Sequence, residues 1–161
     1  MLEYKPEDYL FPELYVEGGG GGDCVSIDEA RRVYRRDPNG PLCKVIYEEG
    51  WKLIVDPVES IALRDFLTVI PWEGYRGVYV RRGARLELVE ARGVEVYIIS
   101  REGSEVDERT VLAYILTRKG ETRTRRAGTR GVVAYIAWEP LVPPRYVFVL
   151  TREHIVVERA A

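Results

Sequence analysis

From residue 74 onward, apolar and polar positions fall into short runs of β-strand length separated by turn residues. Residues 75–81, 85–90, 94–100, 111–117, 121–126, 131–137, 146–151 and 155–158 are such runs, and Gly83, Gly93, Gly103, Gly120 and Gly128 punctuate them. Short strands at regular spacing are the pattern of a barrel or sandwich. In the run at 111–116, Val111, Ala113 and Ile115 alternate with Leu112, Tyr114 and Leu116. Such a strand can hold the turn that follows it over a core.

Earlier in the chain, helix and strand signals mix. Leu14-Tyr15-Val16-Glu17 reads as a short strand that ends in the run Gly18 to Gly22. Ser26-Ile27-Asp28-Glu29 is a capping box, in which serine and glutamate side chains each satisfy a free N–H at a helix start. It predicts a helix to about Arg36, stopped by Asp37-Pro38-Asn39-Gly40-Pro41. Residues 42–47 and 51–55 flank Glu48-Glu49-Gly50 and predict a hairpin. Asp56 as N-cap with Pro57 behind it predicts a second helix, holding Ile61, Leu63, Phe66 and Leu67 and ending before Pro71. A strand remains open for those same residues. The change of texture near Pro71 to Gly74 divides the chain. Residues 1–72 are expected to form a small α+β domain with two short helices and a β-hairpin, and residues 73–161 an all-β domain. The fold class is mainly β, α+β as a whole.

An apolar share of 46% is ample for a core. No apolar run approaches the roughly 18 residues that span a bilayer, and the opening Met1-Leu2-Glu3-Tyr4-Lys5 has no apolar signal core. A cytoplasmic protein without a membrane partner is expected. Cys24 and Cys43 fit no metal or redox spacing and are expected as buried thiols. Glutamine is absent, asparagine occurs once (Asn39), and 31% of residues are charged. Few thermolabile amides with abundant Glu and Arg point to a thermophile, although a GC-rich genome also produces arginine bias.

A net charge of −2 gives no whole-protein argument for nucleic acid. The charge is unevenly spread, however. Glu3, Glu7, Asp8, Glu13, Glu17, Asp23, Asp28 and Glu29 face only Lys5 in the first thirty residues, while Arg118, Lys119, Arg123, Arg125, Arg126 and Arg130 face only Glu121 between 118 and 130.

Gly103-Ser104-Glu105-Val106 leads through Val111-Leu112-Ala113-Tyr114-Ile115 to Lys119, sixteen residues after the glycine. Ten residues before Gly103 stands Gly93-Val94-Glu95-Val96, and Gly131-Val132-Val133-Ala134-Tyr135-Ile136 follows. This spacing resembles the hammerhead, or barrel-sandwich hybrid, of biotinyl and lipoyl carrier domains. The resemblance covers 93–136 and implies that Lys119 occupies the place of the lysine that receives biotin or lipoate. The chain departs from the family at the lysine's neighbours, Arg118 and Gly120, at Leu116, where lipoyl domains carry an acid, and in a 119–131 interval one residue longer. Residues 138–144 also replace the expected second Gly-Asp turn. The whole chain further resembles an uncharacterised archaeal family in which a hybrid-motif domain follows a small N-terminal domain, which implies a fold and no activity.

Two readings of Lys119 stand side by side: a prosthetic-group lysine, or an exposed turn lysine on an unmodified hybrid domain. Only four lysines accompany twenty arginines in the chain, so a lysine here is a marked choice. For Arg123, Arg125, Arg126 and Arg130 the choice is an anion-binding face or a solvated surface paired with the acidic N-terminal part. No aromatic residue lies inside that stretch to stack on a base. Gly18 to Gly22 lacks the residues of a phosphate loop. His154 has no second histidine to join it in a metal site or a triad. Catalytic residues, metal and obligatory cofactor are therefore expected to be absent. The leading expectation is a non-enzymatic binding or scaffold module with a protein partner. A biotin or lipoate carrier at Lys119 is second, and an RNA- or anion-binding protein third.

Overall fold

Phe66-Leu67-Thr68-Val69-Ile70, apolar but for Thr68, and the apolar run Val132 to Ala137 are each buried along their whole length. Strands of this kind are covered on both faces, whereas a strand with one wet face alternates. In the computed structural model, which describes residues 11–161, the first run is a barrel stave and the second is a strand of a middle sheet. These two pieces organise the molecule.

The barrel contains β1 (Glu13–Glu17), β2 (Cys24–Asp28), β3 (Val33–Arg36), β4 (Leu42–Val45), β7 (Phe66–Ile70), β8 (Arg76–Val80) and β16 (Ile155–Arg159). It closes in the order β1-β4-β2-β3-β16-β8-β7. Every stave sends a side chain inward: Tyr15, Val25, Tyr34, Leu42, Leu67, Val69, Tyr79 and Val157 form one core. The barrel thus has a filled lumen and no free edge. Burial pushes the Tyr34 phenol up to about 12, and its hydroxyl donates to the Tyr75 carbonyl at 2.6 Å.

The second half supplies two sheets. β9 (Glu87–Arg92), β11 (Glu105–Val106), β14 (Gly131–Glu139) and β15 (Arg145–Thr151) pair in the order β11-β14-β15-β9, and β10 (Glu95–Ile98), β12 (Val111–Leu116) and β13 (Thr122–Arg126) in the order β10-β12-β13. One face of the four-stranded sheet packs with the outer face of the barrel, joining Val132, Ala134, Tyr135 and Val149 to Leu14, Val16, Phe66 and Val80. Its other face, with Val133, Phe148 and Leu150, packs with Leu112, Ala113 and Ile115 of the three-stranded sheet. The layers run barrel, middle sheet, outer sheet.

The mainly β class and all the strands expected beyond residue 74 are present; the two-residue β11 was not anticipated. The expected division at 71–74 falls between β7 and β8, which are hydrogen-bonded neighbours in the barrel.

Three local expectations are corrected. Residues 26–36 form the β2–β3 hairpin, not a helix. Asp28 Oδ1 accepts the Arg31 N–H at 3.1 Å in its turn, and Val25 and Tyr34 fill the lumen, so alternation overrode the capping signal. After Asp56, its carboxylate does accept the Val58 and Glu59 N–H groups. The turn then passes through Ser60 at φ 55° and returns as the small ladder of β5 (Val55–Asp56) and β6 (Ile61–Ala62), not as a helix. Finally, 42–55 is no hairpin: β4 pairs with β1 and β2, while Trp51–Ile54 make the single helical turn α1.

Cys24 and Cys43, expected as free thiols, are joined in a disulfide. They are register partners on β2 and β4, a proximity that no local cysteine motif encodes.

Candidate functional site: the Lys119 hairpin

Thr117 closes the turn that carries Lys119. Its carbonyl accepts the Gly120 N–H at 3.0 Å and its own N–H reaches the Glu121 carbonyl at 2.9 Å. The Thr117 hydroxyl accepts the Glu121 N–H at 3.2 Å. Gly120 takes φ 78°, a left-handed turn position suited to glycine. Lys119 is therefore at the exposed tip of the β12–β13 hairpin. Neither it nor Arg118 has an ion pair or side-chain hydrogen bond among the described residues.

The base of the hairpin is held firmly. Leu112, Ala113 and Ile115 are buried against the middle sheet. Behind them Val94 donates its N–H to the Leu116 carbonyl at 2.9 Å. A Cβ on Gly93 would stand 2.4 Å from Ile115 Cγ2 and 2.7 Å from the Leu116 carbonyl oxygen. Glycine at position 93 is thus required by the close approach of β12.

The basic residues do not form one cluster. Arg123 and Arg125 lie on β13 opposite Ile115 and Ala113, on one side of an edge strand. Arg123 approaches Glu121 at 3.7 Å, while the Arg125 side chain has no ion pair or hydrogen bond among the described residues. Arg126 turns away and donates to the Arg109 carbonyl at 2.6 Å. Arg130 lies beyond the hairpin, 3.6 Å from Glu108. Strand pairing adds aromatics that the linear sequence hides: exposed Tyr97 is opposite exposed Tyr114, and Tyr114 is opposite Thr124.

Gly18 to Gly22 leads into β2, so no helix N-terminus is directed at a ligand there. His154 is half-buried between β15 and β16, and burial lowers its pKa from the ordinary value.

Sequence reasoning missed a second polar centre, at Glu102. Its side chain is only 5% exposed. Tyr47 donates its hydroxyl to Glu102 Oε2 at 2.6 Å and accepts the Ile136 N–H at 3.0 Å. Tyr135 in turn donates to the Tyr47 carbonyl at 2.5 Å, with the two rings 4.6 Å apart. Burial, and next the Glu102 charge, push the Tyr47 phenol well above its ordinary pKa. The one available signal was a carboxylate immediately before a turn glycine whose neighbours are apolar strands.

None of the helices among the described residues is long and apolar enough to cross a membrane. Over 165 aligned residues the chain is 27% identical to a Methanocaldococcus jannaschii protein named "Uncharacterized protein MJ0859", covering 91% of this chain and 95% of that one. A family model described as an uncharacterized protein conserved in archaea, DUF2118, matches residues 9–153. With nearly its whole length matched, from before β1 to the turn that follows β15, the chain belongs to that archaeal family.

Proposed function

We propose that the chain is a non-enzymatic binding module whose outer and middle sheets form a biotinyl/lipoyl-like hybrid sandwich that presents the β12–β13 hairpin to a protein partner. The observation that carries this reading is the hairpin itself. Its base is locked into a core shared by two facing sheets, while its tip holds Arg118 and Lys119 exposed. Rigid elements that project unpaired polar groups are suited to recognition. The module would act in the cytoplasm of a thermophile, and the Cys24–Cys43 disulfide is compatible with that, because intracellular proteins of hyperthermophilic archaea retain such bonds.

A second reading is supported by one specific observation, the position of Lys119 at the very tip beside left-handed Gly120. There a ligase could acylate it with biotin or lipoate and the arm could swing. The arginines favour neither reading. Arg123 and Arg130 are paired with Glu121 and Glu108 and Arg126 is bonded to a backbone carbonyl, while Arg123 and Arg125 are placed where charge keeps an exposed strand edge from pairing with another chain.

Purification of the protein from its native archaeal cells tests both readings. The binding module predicts an unmodified intact mass and a co-purifying protein that is lost when Arg118 and Lys119 are both replaced by alanine. A mass raised by one biotinyl or lipoyl group on Lys119 would establish the carrier. A partner retained by the double variant would remove the hairpin from its proposed role.

A further inference from the structure

Glu102 stands in the connection between β10 and β11, flanked by Arg101 and Gly103, where a carboxylate is ordinarily solvated. Here it is enclosed, and its Oε1 has no hydrogen-bond partner. Arg101 brings Nε to 3.6 Å of that oxygen, beyond hydrogen-bond reach. Its guanidinium lies instead over Trp72, 4.0 Å from the ring centroid. Arg101 thus faces the carboxylate as an ion pair without donating a hydrogen bond to it, and a buried carboxylate oxygen is left without a donor, an arrangement that is costly unless something supplies one. Glu102, Tyr47, Arg101, Ile98, Trp138 and Tyr146 line a cavity of about 340 Å³.

We propose that this cavity binds a small primary ammonium ion. The ligand's N–H donates to Glu102 Oε1, and the rings of Trp138 and Tyr146 flank its charge and its alkyl chain. Each element selects against alternatives. The carboxylate repels anions. Its unmet need is for a donor, which a quaternary ammonium lacks. Aromatic faces attract a cation and tolerate methylenes. Tyr47 is already used: its hydroxyl donates to Oε2 and accepts from Ile136, so it fixes the carboxylate in place. The site lies apart from the Lys119 hairpin, and the inference does not rest on the function proposed for that hairpin.

The test is titration of the full-length chain with n-butylammonium, followed by calorimetry and by amide NMR, with tetramethylammonium and n-butanol as controls. Saturable binding of butylammonium alone is expected. The Ile136 amide, whose N–H is bonded to the Tyr47 hydroxyl, should shift along the binding curve. Glu102→Gln should weaken binding roughly tenfold or more, the range of a charge-assisted hydrogen bond. Trp138→Ala, at a side chain that is half exposed and so of little consequence for folding, should weaken it roughly threefold or more. Absence of saturable binding, equal binding of either control, an unmoved Ile136 amide, or undiminished affinity in Trp138→Ala would each overturn the proposal. The wild-type titration and the Trp138 variant suffice even if Glu102→Gln fails to fold.

Discussion

Thr68 of the barrel donates its hydroxyl to the carbonyl of Ala134 in the middle sheet, at 2.6 Å and in complete burial. Ala134 is the residue where the β14–β15 register slips, between Val133 and Tyr135. A bulge leaves a backbone group without its ladder partner, and a side chain from the neighbouring layer meets that need. The polar residue in the otherwise apolar Phe66–Ile70 run is thereby explained.

Replacing Thr68 with valine keeps the volume and removes the donor. The Ala134 carbonyl is then buried and unpaired, which should lower unfolding free energy by about 1–3 kcal/mol. Urea denaturation checks this, and Thr68→Ser should retain most of the stability because it retains the hydroxyl.

The Cys24–Cys43 bond closes a loop with a sequence separation of 19. Chain-entropy reasoning gives such a cross-link about 3 kcal/mol, and for a protein of this length each kcal/mol moves the melting point by about 2–4 °C. The double variant Cys24→Ser/Cys43→Ser should therefore melt about 6–12 °C lower. Reduction of the wild type should reproduce the drop and leave the variant unchanged.

At the β13 edge, Arg123→Thr/Arg125→Thr removes charge while keeping β-propensity. The variant should self-associate in sedimentation velocity under conditions where the wild type does not, because an uncharged exposed edge invites pairing. The same pair serves for RNA. An affinity that falls steeply with salt in the wild type and flattens in the variant would assign these arginines to an anionic partner instead.

His154 links stability to pH. Burial lowers its folded pKa below the ordinary value of 6.5, so the unfolded chain takes up the proton first. The contribution is fully present above about 6.5 and is lost as pH falls through that value toward the folded pKa. Wild type should lose more stability than His154→Gln between pH 7.5 and pH 5.5 in paired urea melts. Parallel curves would show that the ring contributes nothing to the pH dependence.

How much of this was legible in the sequence varies with how local each signal is. Strands beyond residue 74 were readable because alternation and turn glycines are local and agree with each other. Ser26-Ile27-Asp28-Glu29 misled because a capping box is also local, while the requirement that Val25 and Tyr34 fill a lumen comes from distant staves. Phe66 to Ile70 was ambiguous because burial on both faces erases periodicity. The cysteine pair was invisible because it depends on β4 lying between β1 and β2. The strand at 111–117 and the turn at Gly120 were readable in the same way, and the β12–β13 hairpin they form has Lys119 in its exposed turn. Glu102 was passed over, since only tertiary packing encloses a carboxylate that sits beside a glycine turn.

β16 is the sixteenth strand in chain order, yet it is inserted between β3 and β8, parallel to the first and antiparallel to the second. On the ribosome, therefore, the six staves made early must wait with their lumen open while both later sheets emerge. The barrel that β1 begins is completed only by β16, and Val157 is the plug that seals it. A chain halted before β16 would carry two unsatisfied strand edges, on β3 and β8, open to pairing with another chain until the final stave arrives.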